Sequence, residues 1–298
     1  GTKLSCSKFI MTNVLRLRDA HGKFQDFLKT KNRASATILA YGKDIEQLIE
    51  FLEALEKNNI HEINGTDIQA FLTKLKDEGY TPKSLSRKLN STRTFYRYLK
   101  VNEFVTDDPS LLVEHPKYEL NPPRMLSPLE YRALRDAASV DSRIYAIIEV
   151  LLQTGIRIGE LANLRVEDIN DNALHIRTYE GHEAREVPLN RRAKEALKRY
   201  METRAKTEDT HVFVTKTGRP FLVRNIRDAV ERYFKKAGIE NVKINDLRHT
   251  FVAHHLKNGV SLVFLSRVLG HKRLSSTERY LQYMKDFKPG EATSLQEL

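Results

Sequence analysis

The stretch 106–126, "TDDPSLLVEHPKYELNPPRML", decides the fold, because four prolines, Pro109, Pro116, Pro122 and Pro123, fall in it and it has no helical period. Proline fixes φ and removes a backbone donor, so such a run reads as an interdomain linker. It separates a domain expected over 14–105 from a second over 127–290, with a tail at 291–298. On its amino-terminal side every segment has helical spacing. In "TILAYGKDIEQLIEFLEAL", Ile38, Tyr41, Ile45, Leu48, Leu52 and Leu55 recur at intervals of three and four, with Ser35 or Thr37 as a cap. "NGTDIQAFLTKLKDEG" predicts a shorter helix that ends at Gly79. "TPKSLSRKLNSTRTFYRYLK" begins with Pro82 at a first helical turn and carries Leu85, Leu89, Tyr96 and Leu99 on one face, with Lys83, Arg87, Ser91 and Thr94 on another.

On the other side of the linker, Ser127, Pro128 and Glu130 form the signature of a capped helix start, and further helices are expected at 142–154 and 158–164. The period changes between Ala173 and Leu189. "ALHIRTYEGHEAREVPL" alternates around Gly181 and predicts a hairpin, to which "HVFVT" (211–215) would add a third short strand. Helices resume at "VRNIRDAVERYFKKAG", "NDLRHTFVAHHLKNG", "SLVFLSRVLG" and "SSTERYLQYM". The expected fold is mainly α: a helical bundle, then a mostly helical domain of catalytic size with a small antiparallel sheet.

The chain has 298 residues, 40% of them hydrophobic, enough for two cores. Its 50 Lys and Arg against 39 Asp and Glu give a net charge of +11, which suits a polyanionic partner through counterion release. The single cysteine, Cys6, rules out an intrachain disulfide and a metal-binding cysteine cluster, and fits a reducing, cytoplasmic setting. The longest apolar run, "IYAIIEVLL", contains Glu149 and is too short to span a membrane. The first ten residues lack the parts of a signal peptide, and 1–13 reads as an artificial, non-native extension, disordered, with Met11 as the natural start.

Three basic residues sit near helix ends in short polar contexts: Arg157 in "TGIRIGEL", Arg248 in "NDLRHTF" and His271 in "LGHKR". Singly, each has an ordinary reading, such as an ion pair of Arg157 with Glu160 three residues on. Together with "STERY", and in this order, they resemble the motif set of the tyrosine recombinases, closest to the Xer type. The likeness extends to the amino-terminal segments "TILAYGKDIEQLIEFL" and "LSRKLNSTRTFYRYL", which look like that family's SAM-like core-binding domain.

The resemblance implies a two-domain clamp on double-stranded DNA carrying a specific site, four protomers on two duplexes, and neither metal nor cofactor. It makes Tyr280 the nucleophile of a covalent 3′-phosphotyrosyl intermediate. Spacing alone leaves Tyr283, one turn on, open, although its place after the motif favours packing. Arg157 and Arg248 would clamp the scissile phosphate with planar, permanently charged forks, His271 would add a hydrogen bond, and Glu160 would orient Arg157 or its neighbour. Lys83, Arg87 and Ser91 are expected at a groove and Lys88 and Arg93 on phosphates. The tail, "FKPGEATSLQEL", would be the remnant of a helix that docks on a neighbouring protomer.

Two positions depart from the family pattern. Its hairpin carries a lysine eight residues before the proline of "VPL", acting as general acid on the leaving 5′ oxygen, and here that position is Glu180. Losing such an acid costs about 10² to 10⁴ in rate. Arg177, Arg185 and Lys216 are the nearby substitutes, and arginine holds its proton too tightly to serve. Asn245 stands where His or Lys normally opens the "HxxRH" motif, and an amide can donate a hydrogen bond but not shuttle a proton. His249, next to Arg248, is a family feature expected to be structural. The resemblance favours resolution of chromosome or plasmid dimers at cell division. A compact virus or plasmid integrase, a recombinase-derived DNA-binding protein with impaired cleavage, and a type IB topoisomerase are the alternatives.

Overall fold

The fold is known from a computed structural model that describes residues 15–31, 35–119, 121–284 and 290–298. The expected non-native extension 1–13, with Cys6 and Met11, lies outside the described residues. Two compact units divide between Leu120 and Asn121.

In the first unit α1 (Leu17–Thr30), α2 (Ser35–Glu53), α3 (Gly65–Asp77) and α4 (Pro82–Val101) enclose a core that includes Phe24, Leu48, Phe71, Leu89, Phe95 and Leu99. Their boundaries follow local chemistry. Asn64 and Asp67 cap α3 reciprocally, and Thr81 caps α4 just before Pro82, whose missing N–H is not needed at a first turn. The expected linker is not free along its whole length. A 3-10 turn at Pro109–Leu112 buries Ser110, and Val113 enters the core of this unit. Arg93 holds the turn by donating to the carbonyls of Ser110 (3.4 Å) and Val113 (2.9 Å).

In the second unit the capping box of Ser127 and Glu130 starts α5 (Pro128–Ala138). Next comes α6 (Ser142–Thr154), whose residues from Ala146 to Thr154 are all buried. A helix buried on every side must be central, and α6 carries the pairing of Glu149 with Arg135 inside the core. After α7 (Ile158–Ala162), strands β1 (Ala173–Ile176) and β2 (Arg185–Pro188) pair antiparallel with Leu174 opposite Val187. Then follow α8 (Arg191–Thr203), α9 (Val223–Lys236), α10 (Asn245–Lys257), α11 (Leu262–Leu269) and the single turn α12 (Ser275–Glu278).

Two expectations are corrected here. Among the described residues the sheet has two strands, because "HVFVT" makes only isolated bridges, Arg165 with His211 and Val214 with Pro220. The described part of the tail is extended, not helical, and lies on its own unit. Ser261 N–H donates to Ala292 O at 2.8 Å, and Leu298 is buried in the core.

Candidate active site

The central helix α6 stops at Gly155, which adopts φ 62°. A Cβ there would lie 2.4 Å from the ring of Phe251 on α10, so glycine permits both the left-handed turn and the close approach of the two helices. The chain then delivers Arg157 to the amino-terminal end of α7, where Glu160 accepts from the Arg157 amide at 2.8 Å.

Glu160 is almost wholly buried, and two guanidiniums share it. Arg157 Nη1 donates to Oε1 at 3.1 Å, while Arg185 on β2 forks onto both oxygens at 2.8 and 2.9 Å. Burial alone would raise this carboxyl, but the hydrogen bond from Arg185, the Arg157 amide and both guanidinium charges hold it down at about 2. The remaining donors fix the carboxy-terminal end of α11: Arg185 Nε to Val268 O at 2.7 Å, Arg157 to the carbonyls of Leu269 and the capping Gly270, both at 3.2 Å.

Arg248, on the first turn of α10, completes the group. It donates to Gly155 O, to Leu269 O at 2.8 Å and to His271 Nε2 at 3.0 Å. Because arginine only donates, His271 Nε2 accepts and its proton sits on Nδ1, directed at Thr277 Oγ1 2.7 Å away. Burial, then the neighbouring Arg157, push Arg248 down to about 9, which leaves it charged at neutral pH. Burial, followed by Arg248, Arg157 and Arg185, lowers His271 to about 3. Three guanidiniums and one carboxylate thus share a partly closed site, an excess of positive charge that a bound anion would relieve.

Tyr280 lies in a 3-10 turn, Arg279–Tyr283, straight after α12, and its residue is 8% exposed. Its hydroxyl is 2.6 Å from His249 Nδ1, and Asn245 Nδ2 is 3.0 Å from Nε2 of the same ring. Burial raises the phenol and the nearby Arg248 lowers it. Burial also lowers His249, which keeps it neutral near pH 7. Tyr283 is half-buried one turn on.

The phage integrase family model matches residues 124–286, more than half of the chain, and the family's SAM-like amino-terminal domain matches 22–103. The chain belongs to the phage integrase family. It is similar to the tyrosine recombinase XerC of Anoxybacillus flavithermus, with 32% identity over 86% of this chain and 90% of that protein. The XerC of Bacillus pumilus is also 32% identical, over 93% of this chain and 94% of that one. Among solved structures, the XerA recombinase matches with 27% identity and a TM-score of 0.52, covering 90% of this chain and 94% of that one. A lambda integrase dimer bound to a COC′ core site shares the fold at 19% identity and a TM-score of 0.74, over 94% of this chain and 81% of that one. The family's activity, site-specific tyrosine recombination of the Xer and integrase type, is therefore this chain's.

Within this phage integrase unit the structure brings Arg157, Arg248, His271 and Glu160 into one hydrogen-bonded group, and puts Asn245 in line with Tyr280 through His249. In sequence Arg185 offers only a poor proton donor, whereas in the structure it forks onto both oxygens of Glu160. Glu180 and Gly181 form the hairpin turn, with φ 46° and 76° and Tyr179 bonded to His182 in both directions, and Glu180 faces solvent. Arg177 is committed to Asp168 and Glu167. Lys216 lines a surface hollow with Asp141 and Arg143 at the start of α6, a helix length of about 18 Å from Gly155 at 1.5 Å per residue.

The expected DNA contacts of the amino-terminal unit need correction. Lys88, 5% exposed, donates to Asp44 at 2.9 Å and to Gln47 at 2.6 Å, and the fully buried Ser91 donates to Asp44 at 2.7 Å. Arg87 also pairs with Asp44, although half its side chain stays in solvent, and Arg93 is spent on the turn at Ser110. A solvated helix face and a buried ion pair have the same polar spacing in sequence, which is why these residues misled. Lys83 remains exposed on α4, in a stripe with Arg87, Asn90 and Arg97.

Proposed function

We propose that in this site-specific recombinase Tyr280 attacks the scissile phosphate and forms a 3′-phosphotyrosyl link. Arg157 and Arg248 would bind the non-bridging oxygens, where negative charge grows in the pentacoordinate transition state. His271 would join them once the phosphate's charge lets it take a second proton, and Glu160 would act as the carboxylate on which Arg157 and Arg185 are aligned. The observation that carries this reading is the convergence of two guanidiniums, Arg157 and Arg185, on the buried carboxylate of Glu160, with Arg157 and Arg248 both donating to Leu269 O and Arg248 reaching His271.

The partner would be duplex DNA with a specific site, gripped by two domains, 14–105 and 127–290, the first through Lys83, Arg87 and Arg97. Support for a multimer on DNA comes from the lambda integrase structures, one of which is a tetramer bound to a Holliday junction. The XerC relatives favour dimer resolution over integration, in the cytoplasm. Among the described residues no helix is long and apolar enough to cross a membrane.

A pool of nicked duplexes with randomised sites, selected by covalent capture, tests the reading. The wild type should yield an adduct that Tyr280→Phe loses and Tyr283→Phe keeps. Failure of the wild type to form any adduct would favour the second reading, a DNA-binding protein with impaired cleavage, which Glu180 and Asn245 motivate. Resolution of a plasmid carrying two selected sites, against relaxation of any supercoiled plasmid, separates recombinase from topoisomerase.

A further inference from the structure

Phosphoryl transfer by a tyrosine needs two proton movements: one away from the nucleophile and one onto the leaving oxygen. The structure offers a candidate for each, and both inferences rest on Tyr280 as nucleophile.

We infer that His249 is the general base for Tyr280 and that Asn245 positions it. The geometry is a chain of three side chains, Tyr280 Oη to His249 Nδ1 at 2.6 Å and His249 Nε2 to Asn245 at 3.0 Å. Asn245 and His249 are four residues apart on α10, so they share a face, and that face is turned to the 3-10 turn bearing the tyrosine. The imidazole is buried beside Arg248 and neutral, so it can take a proton. Asn245 now directs its amide nitrogen at the ring. Half a turn of the amide, which changes neither size nor shape, offers its oxygen to Nε2–H and steadies the imidazolium as it forms.

In the step, the phenolic proton passes to His249 Nδ1 and the phenolate oxygen bonds to phosphorus. The P–O5′ bond breaks with its electron pair going to the 5′ oxygen, which takes a proton from an acid on the other side of the phosphate. An asparagine where the family pattern has a titratable residue is then not a defect. It is the partner of a base one turn further along the same helix.

A different observation supplies the acid, and we propose Lys272. Its Nζ lies 3.5 Å from where a Cβ on Gly181 would stand, so its ammonium rests on the hairpin turn next to Glu180. Lys272 follows His271 directly, and together with Gly181, His182, Arg185 and His271 it lines one groove of about 590 Å³. The other cations of that groove cannot serve. Arg185 and Arg267 hold their protons too tightly, Arg185 is besides forked onto Glu160, and burial next to Arg157 keeps His182 neutral. Lys272 gives one ammonium proton to the 5′ oxygen and becomes a neutral amine.

Both are tested by single-turnover adduct formation on the captured duplex. His249→Ala and His249→Gln should each slow the step about 10²-fold, and Asn245→Leu less. A ring-fluorinated tyrosine at 280, a stronger acid, should bring the His249 variants to within about tenfold of the protein with His249 intact. If fluorination leaves the gap unchanged, His249 only packs against the tyrosine. Lys272→Ala and Lys272→Arg should slow an oxygen substrate about 10²-fold and leave a 5′-bridging sulfur substrate, whose thiolate needs no proton, at wild-type rate. Equal slowing on both substrates, or none on oxygen, removes Lys272 from the role. An adduct that persists in Tyr280→Phe would instead overturn the nucleophile, a result distinct from either failure.

Discussion

Two clusters in this molecule gather cations around one carboxylate, and they behave differently. In the amino-terminal unit Asp44 is buried with Lys88, Ser91 and Gln47, and the second cation, Arg87, keeps half its side chain in water. The buried charges cancel one to one. In the catalytic unit Glu160 is buried with Arg157 and Arg185, and Arg248 stands beside them with its charge set against backbone carbonyls and a neutral histidine. Charge there does not cancel. A closed cluster holds a fold together, whereas an open one is held together by the fold and is completed by an anion.

The comparison can be broken at either end. Asp44→Ala strands the Lys88 ammonium in the core and should cost about 3–5 kcal/mol in denaturant unfolding, while adduct formation at saturating duplex stays near wild type. Arg248→Met should do the reverse: adduct formation falls about 10²- to 10³-fold, and stability changes by less than about 2 kcal/mol, because removing one of three mutually repelling cations offsets part of the lost hydrogen bonding. If Arg248→Met unfolds the protein as readily as Asp44→Ala does, the distinction between the clusters fails.

Acid sharpens it further. His255, fully buried on α10 and bonded to Phe251 O, is lowered by burial from 6.5 to about 4. The unfolded chain therefore binds the extra proton throughout that window, so stability present above pH 6.5 is lost as pH falls towards 4, on the order of 3 kcal/mol. His255→Gln should flatten this slope in pH-dependent unfolding. The smallest effect belongs to the surface. Lys83→Ala should weaken duplex binding a few-fold and reduce the salt slope of log K by about 1.

Much of this was legible in the sequence, for particular reasons. Ser127 with Glu130, Gly155, and the alternation around Gly181 carry local signals that tertiary packing did not override. Arg157, Arg248 and His271 were legible only as a set, since each alone reads as an ordinary ion pair or loop residue. Lys88, Ser91 and Arg93 were misread because their partners, Asp44 and the turn at Ser110, lie 17 to 47 residues away along the chain. The same holds for Lys272, whose approach to Gly181 depends on how the hairpin and the loop after α11 fold onto one unit. The His249 link was half visible: four residues after Asn245 it had to share a face, but nothing local pointed that face at Tyr280.

The most direct test of the central claim is to digest the wild-type adduct and locate the nucleotide by mass spectrometry. The account predicts it on Tyr280, through the phenolic oxygen and a 3′ phosphate. A nucleotide on Tyr283, on another side chain, or linked through a 5′ phosphate would contradict it.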